Sequence, residues 1–313
     1  MRPIVHWLCL AVLAVLPALA QQETVKSYRI DDNQFLYLPL GKISFADSII
    51  EFKKGSPAAL EKYSDAPQCL DEPNYKTYRV GNFLSLGCSG SVTVAFTDNG
   101  FMNLQGDDLY IFEVGPSREA ATVEISEDNI TWLYAGTISG GKSSIELSDE
   151  RIDSNTVFHY LRIIDAKELC NSKSAGADID AIAAINSVVR LSINTDVLFD
   201  VNQFSIKKSA KQTLLVLAAE ILKIDEATIV VEGHTDSDGD EQHNMELSRN
   251  RSIAVIDQIR AQLGYEAPYD YVVRAFDESK PKVGNTTSKN KQINRRVEIT
   301  VLPPNGYYQP EEK

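Results

Sequence analysis

Two periodicities divide the chain. Up to about residue 187, apolar and polar positions alternate or run apolar in short stretches, at 91–96, 108–112, 121–125, 131–134 and 158–164, between Gly, Asn and Asp turns. A period of two with turns at this spacing predicts short antiparallel strands and a β-sandwich. Beyond Asn194 the pattern is mixed. Ala210, Leu214, Leu217 and Ile221 recur at helical spacing within 206–223, and 244–263 predicts a second helix. Short apolar runs at 197–199, 228–232, 271–274 and 296–301 predict strands. The order β-α-β-α-β-β suits one mixed sheet with helices packed on it.

The first 20 residues carry Arg2, an apolar run from Leu8 to Leu16, and Ala18-Leu19-Ala20. This is the pattern of a cleaved secretory leader, and the run is shorter than a membrane span requires. The expected organisation is therefore a leader at 1–20, a sandwich at 21–190, an α/β domain at 191–302 and a loose tail at 303–313.

The formal net charge is -13, and residues 21–190 carry 25 acids against 15 bases. That balance excludes nucleic acid as a partner, because such a protein needs a basic face. Cys69, Cys88 and Cys170 follow the leader, with neither a Cys-x-x-Cys nor a zinc spacing. In an oxidising compartment two of the three can pair, and any of the three pairings is open.

The segment Gly233-His-Thr-Asp-Ser-Asp-Gly-Asp240 joins a strand to the second helix and concentrates the candidate chemistry. As a calcium loop counted from Asp236 it fails, with Glu241 at the sixth position and Leu247 at the twelfth. As a zinc or acid–base site, His234, Asp236 and His243 lack a recognisable spacing. A third reading is a pocket for a zwitterion. Asn244 and Arg251 are seven apart, nearly two helical turns, and flank a stripe of Met245, Ser248, Ser252, Ile256, Ile259 and Leu263. Asp236 would take an ammonium and Arg251 a carboxylate through its planar fork. A direct Asp236–Arg251 salt bridge is the competing reading.

Four motifs bear on the choice: Phe199-Asp-Val-Asn-x-x-x-Ile206, Gly233-His-Thr-Asp236, Asn244-x-x-Leu-Ser-x-x-Arg251 and Asn294-Arg-Arg-Val-Glu-Ile299. In order and spacing they resemble the OmpA-like C-terminal peptidoglycan-binding domain, over about residues 194–302. The resemblance implies noncovalent binding of meso-diaminopimelate in the peptide stem, with Asp236 on the ammonium and Arg251 on the carboxylate. It further implies contacts from Asp200, Thr235, Asn244, Arg295 and Arg296. Two departures stand out: Ser252 replaces the family's Ala, and Ala275-Phe-Asp277-Glu278 replaces a Gly-x-Gly-Glu segment, so that the loop backbone is expected to differ.

In the first half, 85–90, 96–99, 106–113, 126–132 and 176–181 resemble jelly-roll domains of the galactose-binding and discoidin type, over about residues 40–188. Asp98, Asn99, Asp107, Asp108, Glu113, Asp178 and Asp180 supply the hard oxygens calcium prefers, with Asp178 and Asp180 the candidate ligands. The alternative is that each serves a turn or strand end. The expected protein is a non-catalytic, exported envelope protein of the periplasm, associated with peptidoglycan and the outer membrane. Its sandwich would hold an outer-membrane protein or glycan, and no cofactor is required beyond the calcium candidate. An envelope hydrolase and a secreted adhesin are the alternatives.

Overall fold

The computed structural model describes residues 27–304, apart from 32, 116–118, 141, 150, 154 and 169. The leader expected at 1–20 and residues 305–313 of the expected tail lie outside the described residues. The chain opens with an antiparallel hairpin of β1 (Ser27–Asp31) and β2 (Gln34–Tyr37). There follow β3 (Ser48–Lys53), β4 (Leu84–Ser85), β5 (Ser91–Ala95), β6 (Gly100–Phe101), β7 (Leu109–Glu113) and β8 (Ala121–Ser126). The first half closes with β9 (Leu133–Ile138), β10 (Lys142–Ile145), β11 (Tyr160–Asp165) and β12 (Asp178–Ala184).

Two antiparallel sheets, ordered β10-β7-β12-β4 and β3-β5-β11-β8-β9, enclose one core. The alternation that predicts the strands also builds this core. Val123 and Ile125 of β8, and Leu161 and Ile163 of β11, point inward two residues apart and are fully buried. Cys88 and Cys170 form a disulfide. Cys69 stays a free thiol inside the core, where burial pushes its pKa up to about 12.

The second half contains β13 (Ser187–Asn194), α1 (Thr195–Leu198), α2 (Ala210–Ile221), β14 (Ala227–His234), α3 (Glu241–Leu263), β15 (Tyr269–Ala275), α4 (Ser288–Asn294) and β16 (Arg296–Leu302). Its sheet runs β15-β14-β16-β13, with β14 and β15 parallel and the other pairs antiparallel. Helices α2 and α3 cover one face, where Ile229 and Val231 of β14 meet Leu214, Val255 and Ile259. The region where the sequence grammar changes is itself a strand. β13 pairs with β6 through Ser187 and Val188 and with β16 from Val189 to Asn194. Beside it, Met102, Leu104 and Val157 pack on Val188, Val230 and Leu302, so the two halves meet through an apolar contact.

The strand expected at 197–199 is not formed; the turn α1 ends there instead. Asn194 caps it, its side chain accepting from the Asp196 amide, and Asp196 lies in the first turn. This cap outweighs the strand preference of three apolar residues. Within α3 the expected stripe is shifted: Met245 is exposed, whereas Asn244, Leu247, Arg251 and Val255 are buried. Asn244 and Arg251 therefore stand on the packed face itself and not on its flank.

Candidate ligand recess in the C-terminal domain

The candidate residues gather where β14 runs out beside the first turns of α3. Gly233 permits this approach, because a Cβ there would stand 2.2 Å from the Ser248 carbonyl oxygen on α3. Ser252, on the same helix face, donates its hydroxyl to the carbonyls of Ser248 and Arg274. The Ala-to-Ser departure is thus absorbed by hydrogen bonds that tie α3 to β15.

Each acid of the turn after β14 has a separate partner. Asp240 caps α3, its Oδ1 accepting from the His243 amide at 2.9 Å. Asp238 pairs with Lys291 of α4. Asp236, 5% exposed, accepts the Asp238 amide on Oδ1 at 3.0 Å and Nη1 of Arg295 on Oδ2 at 2.6 Å. The partner of Asp236 is accordingly Arg295. Arg295 also reaches Asp196 through Nη2 at 3.0 Å, and these two carboxylates hold its pKa above the ordinary value.

Arg251 is also 5% exposed. Its Nε donates to the Gln203 carbonyl at 3.0 Å, and its guanidinium lies over the Phe199 ring at 5.2 Å. Among the described residues no carboxylate stands within ion-pair distance of it. Burial shifts its pKa downward, partly offset by the more distant Asp196. The competing reading of an Asp236–Arg251 bridge is therefore not what the structure contains.

Thr235 and Asn244 complete the rim. The Thr235 amide donates to the Asp277 carbonyl, but its buried hydroxyl has no hydrogen-bond partner among the described residues. Asn244 donates through Nδ2 to the carbonyls of Asp236 and Asp238 and to Oε2 of Glu278 at 2.6 Å. Asp277 adopts a φ of 39°, in the left-handed region that glycine favours, and its Oδ1 accepts the Ser279 amide. The loop expected to differ after losing two glycines thus has Asp277 in a left-handed turn, and that residue's own side chain ties it to Ser279.

Not every expected contact converges. Asp200 is exposed and pairs with Lys207 at 3.2 Å. Arg296 follows Arg295 along the chain, yet its side chain is buried elsewhere, bonded to Glu298 at 2.7 Å and to the carbonyls of Asn294 and Lys280. Residues outside the expected set also take part, among them Asp196, Gln203 and Glu278. Of these, only Glu278 carried a signal, as the last position of the altered Gly-x-Gly-Glu segment.

In the sandwich, Asp178 accepts from the hydroxyls of Ser85 and Tyr78, and Asp180 from the amides of Asn74 and Tyr75. Asp108 accepts from the Leu104 and Leu147 amides and from the Asn186 side chain. All three acids are thus hydrogen-bonded within the sandwich. Burial raises the pKa of Asp178 to about 7 and that of nearby Glu119 to about 8.

The site thus combines a buried cation that has no ion-pair partner among the described residues, a buried carboxylate close enough to act on it electrostatically, and a buried hydroxyl. Residues 198–295 form an OmpA family domain, and Asp236, Arg251 and the rest of the recess lie within it. The chain is 33% identical over 141 residues to outer membrane porin F of Pseudomonas aeruginosa, covering 44% of this chain and 39% of that protein. It is 35% identical over 109 residues to the outer-membrane lipoprotein YfiB of the same organism, covering 35% of this chain and 64% of that protein. Thus the chain spans less than two thirds of the length of these relatives. Among solved structures, the cell wall anchor of the T6SS from Pseudomonas aeruginosa is 28% identical, with a TM-score of 0.33, over 39% of this chain and 85% of that one.

Proposed function

We propose that the protein is a non-catalytic cell-envelope component that binds peptidoglycan noncovalently through meso-diaminopimelate of the peptide stem. The observation that carries this reading is the buried Arg251 guanidinium, which has no carboxylate within ion-pair distance among the described residues while Asp236 is close enough to act on it electrostatically. A ligand carboxylate would meet Arg251, and its ammonium would share Asp236 with Arg295. The Thr235 hydroxyl would gain the partner it lacks. Desolvated charge pairs of this kind are worth a few kcal/mol when both members are present. Kinship with outer-membrane proteins supports a periplasmic location against peptidoglycan and the outer membrane.

The sandwich has its own core and its own surface, and in this reading it holds an outer-membrane protein or glycan while the OmpA family domain grips the wall. Incubating the purified protein with isolated sacculi tests the proposal. Co-sedimentation without release of soluble muropeptides is the expected result. Failure to sediment would refute peptidoglycan binding, and muropeptide release would make the protein a hydrolase.

A further inference from the structure

The sheet of the C-terminal domain has a second polar cluster, on the face turned away from α3. Along β14 the odd-numbered Ile229 and Val231 enter the helix-side core, so Glu232 and His234 point the other way. Glu298 of β16 joins them, since β14 and β16 pair Glu232 with Glu298 and His234 with Arg296. One potential ligand atom from each of Glu232, His234 and Glu298 lies within 4.8 Å of the others.

His234 is the unexplained group. It is 2% exposed, stacks on Phe276 at 5.3 Å, and among the described residues neither ring nitrogen has a hydrogen-bond partner. A buried imidazole with neither nitrogen hydrogen-bonded bears the desolvation cost of both uncompensated. The two glutamates are by contrast firmly held. Arg274 bonds Oε1 of Glu232 at 3.1 Å and Arg296 bonds Oε1 of Glu298 at 2.7 Å, which leaves each carboxylate a second oxygen. Arginines gripping the outer oxygens of ligating carboxylates are the support that metal sites use to orient their ligands.

We propose that Glu232, His234 and Glu298 bind a divalent transition-metal ion of the zinc class. One imidazole nitrogen and two monodentate carboxylates make a three-ligand set with room for a fourth. The imidazole selects a borderline metal over calcium or magnesium, which favour all-oxygen sites. Because Arg274 and Arg296 neutralise the two glutamates, attraction by charge alone would be weak, and the imidazole is the discriminating ligand. Ligands of such an ion stand roughly 3.5 Å apart, so the three need close by no more than about 1 Å on binding. The ion would staple β14 to β16 directly behind Asp236 and Arg295, the residues that follow His234 and precede Arg296 in the chain.

The test uses untagged full-length protein, stripped with a chelator and desalted, then titrated with zinc by calorimetry and with cobalt(II) by visible absorption. The expected result is one ion per chain, with H234A and E298Q each weakening it about 10- to 100-fold. H243A removes the domain's other, exposed histidine and should leave binding unchanged. E232Q and E298Q keep side-chain shape, so they report on the site even if H234A fails to fold. No saturable binding below about 100 µM, a Kd that shows no built site, would overturn the proposal. So would a single equivalent that persists in both glutamine variants or disappears in H243A.

Discussion

Replacing Arg251 by methionine should abolish most ligand binding and leave the domain folded. The side chain contributes to the free protein in two ways: the Nε bond to the Gln203 carbonyl at 3.0 Å, and packing on Phe199 at 5.2 Å. A hydrogen bond from a charged donor is worth about 1.5–3 kcal/mol, and methionine keeps most of the apolar contact with the ring. Against this loss stands relief from burying a guanidinium that has no carboxylate beside it, the burial that already shifts its pKa downward. The net destabilisation is therefore about 1–2 kcal/mol, or a drop of roughly 5–10 °C in the melting temperature of a domain this size. In the complex, the ligand carboxylate loses its Arg251 partner at a cost of about 2–5 kcal/mol, which is roughly 30- to 5,000-fold in Kd. R251K keeps the charge but not the planar fork and should fall in between. Calorimetric titration with a purified stem peptide, beside circular dichroism melts, gives both numbers. If R251M melts as a folded domain and binds within about threefold of the parent, a change under 1 kcal/mol, then Arg251 does not read the ligand.

The sandwich should lose stability as the solution becomes alkaline. Asp178 and Glu119 have raised pKa values, about 7 and about 8, so their stabilising effect is complete below the ordinary carboxyl range and is lost as pH rises through 7 and 8. Its melting temperature should fall between pH 5 and pH 8.5, roughly the window set by those values, and D178N should flatten the curve; a flat parental profile would contradict this. Repeating the melt at pH 8 with excess calcium separates the two roles of Asp178, since an ion site raises the melting temperature and a strand-end role does not. Reducing Cys88–Cys170, which closes a separation of 82 residues, should destabilise the sandwich by about 4 kcal/mol in the loop-closure account. An unchanged melt in reductant, with the thiols shown to be free, would count against that account.

What could be read in advance depended on how far apart the cooperating residues lie in the chain. β8, β11, α2 and the long α3 were legible because their patterns of period two or 3.6 are local. Asn244 and Arg251 share a helix face by spacing alone. The partner of Asp236 was not legible, because Arg295 lies 59 residues away and reaches it only through the β14–β16 pairing. For the same reason Glu298 could not be joined to Glu232 and His234, and the sequence set His234 only beside Asp236 and His243 of the same segment. Adjacent Arg295 and Arg296 matched one motif, yet strand geometry sends them to opposite faces, one toward Asp236 and the other toward Glu298. α1 was misread because capping by Asn194 competes with an apolar run too short to decide the matter. The pairing of Cys88 with Cys170 needed the fold, since three cysteines allow three pairings.

The central claim is that Arg251 and Asp236 together read a group bearing both a carboxylate and an ammonium. Titrating the protein with two stem peptides that differ only in meso-diaminopimelate against L-lysine tests it most directly, because lysine offers the ammonium without the second carboxylate. The account predicts that the diaminopimelate peptide binds and that the lysine peptide binds at least about 30-fold more weakly, the lower bound for losing Arg251's partner. Equal affinity for the two peptides would contradict it.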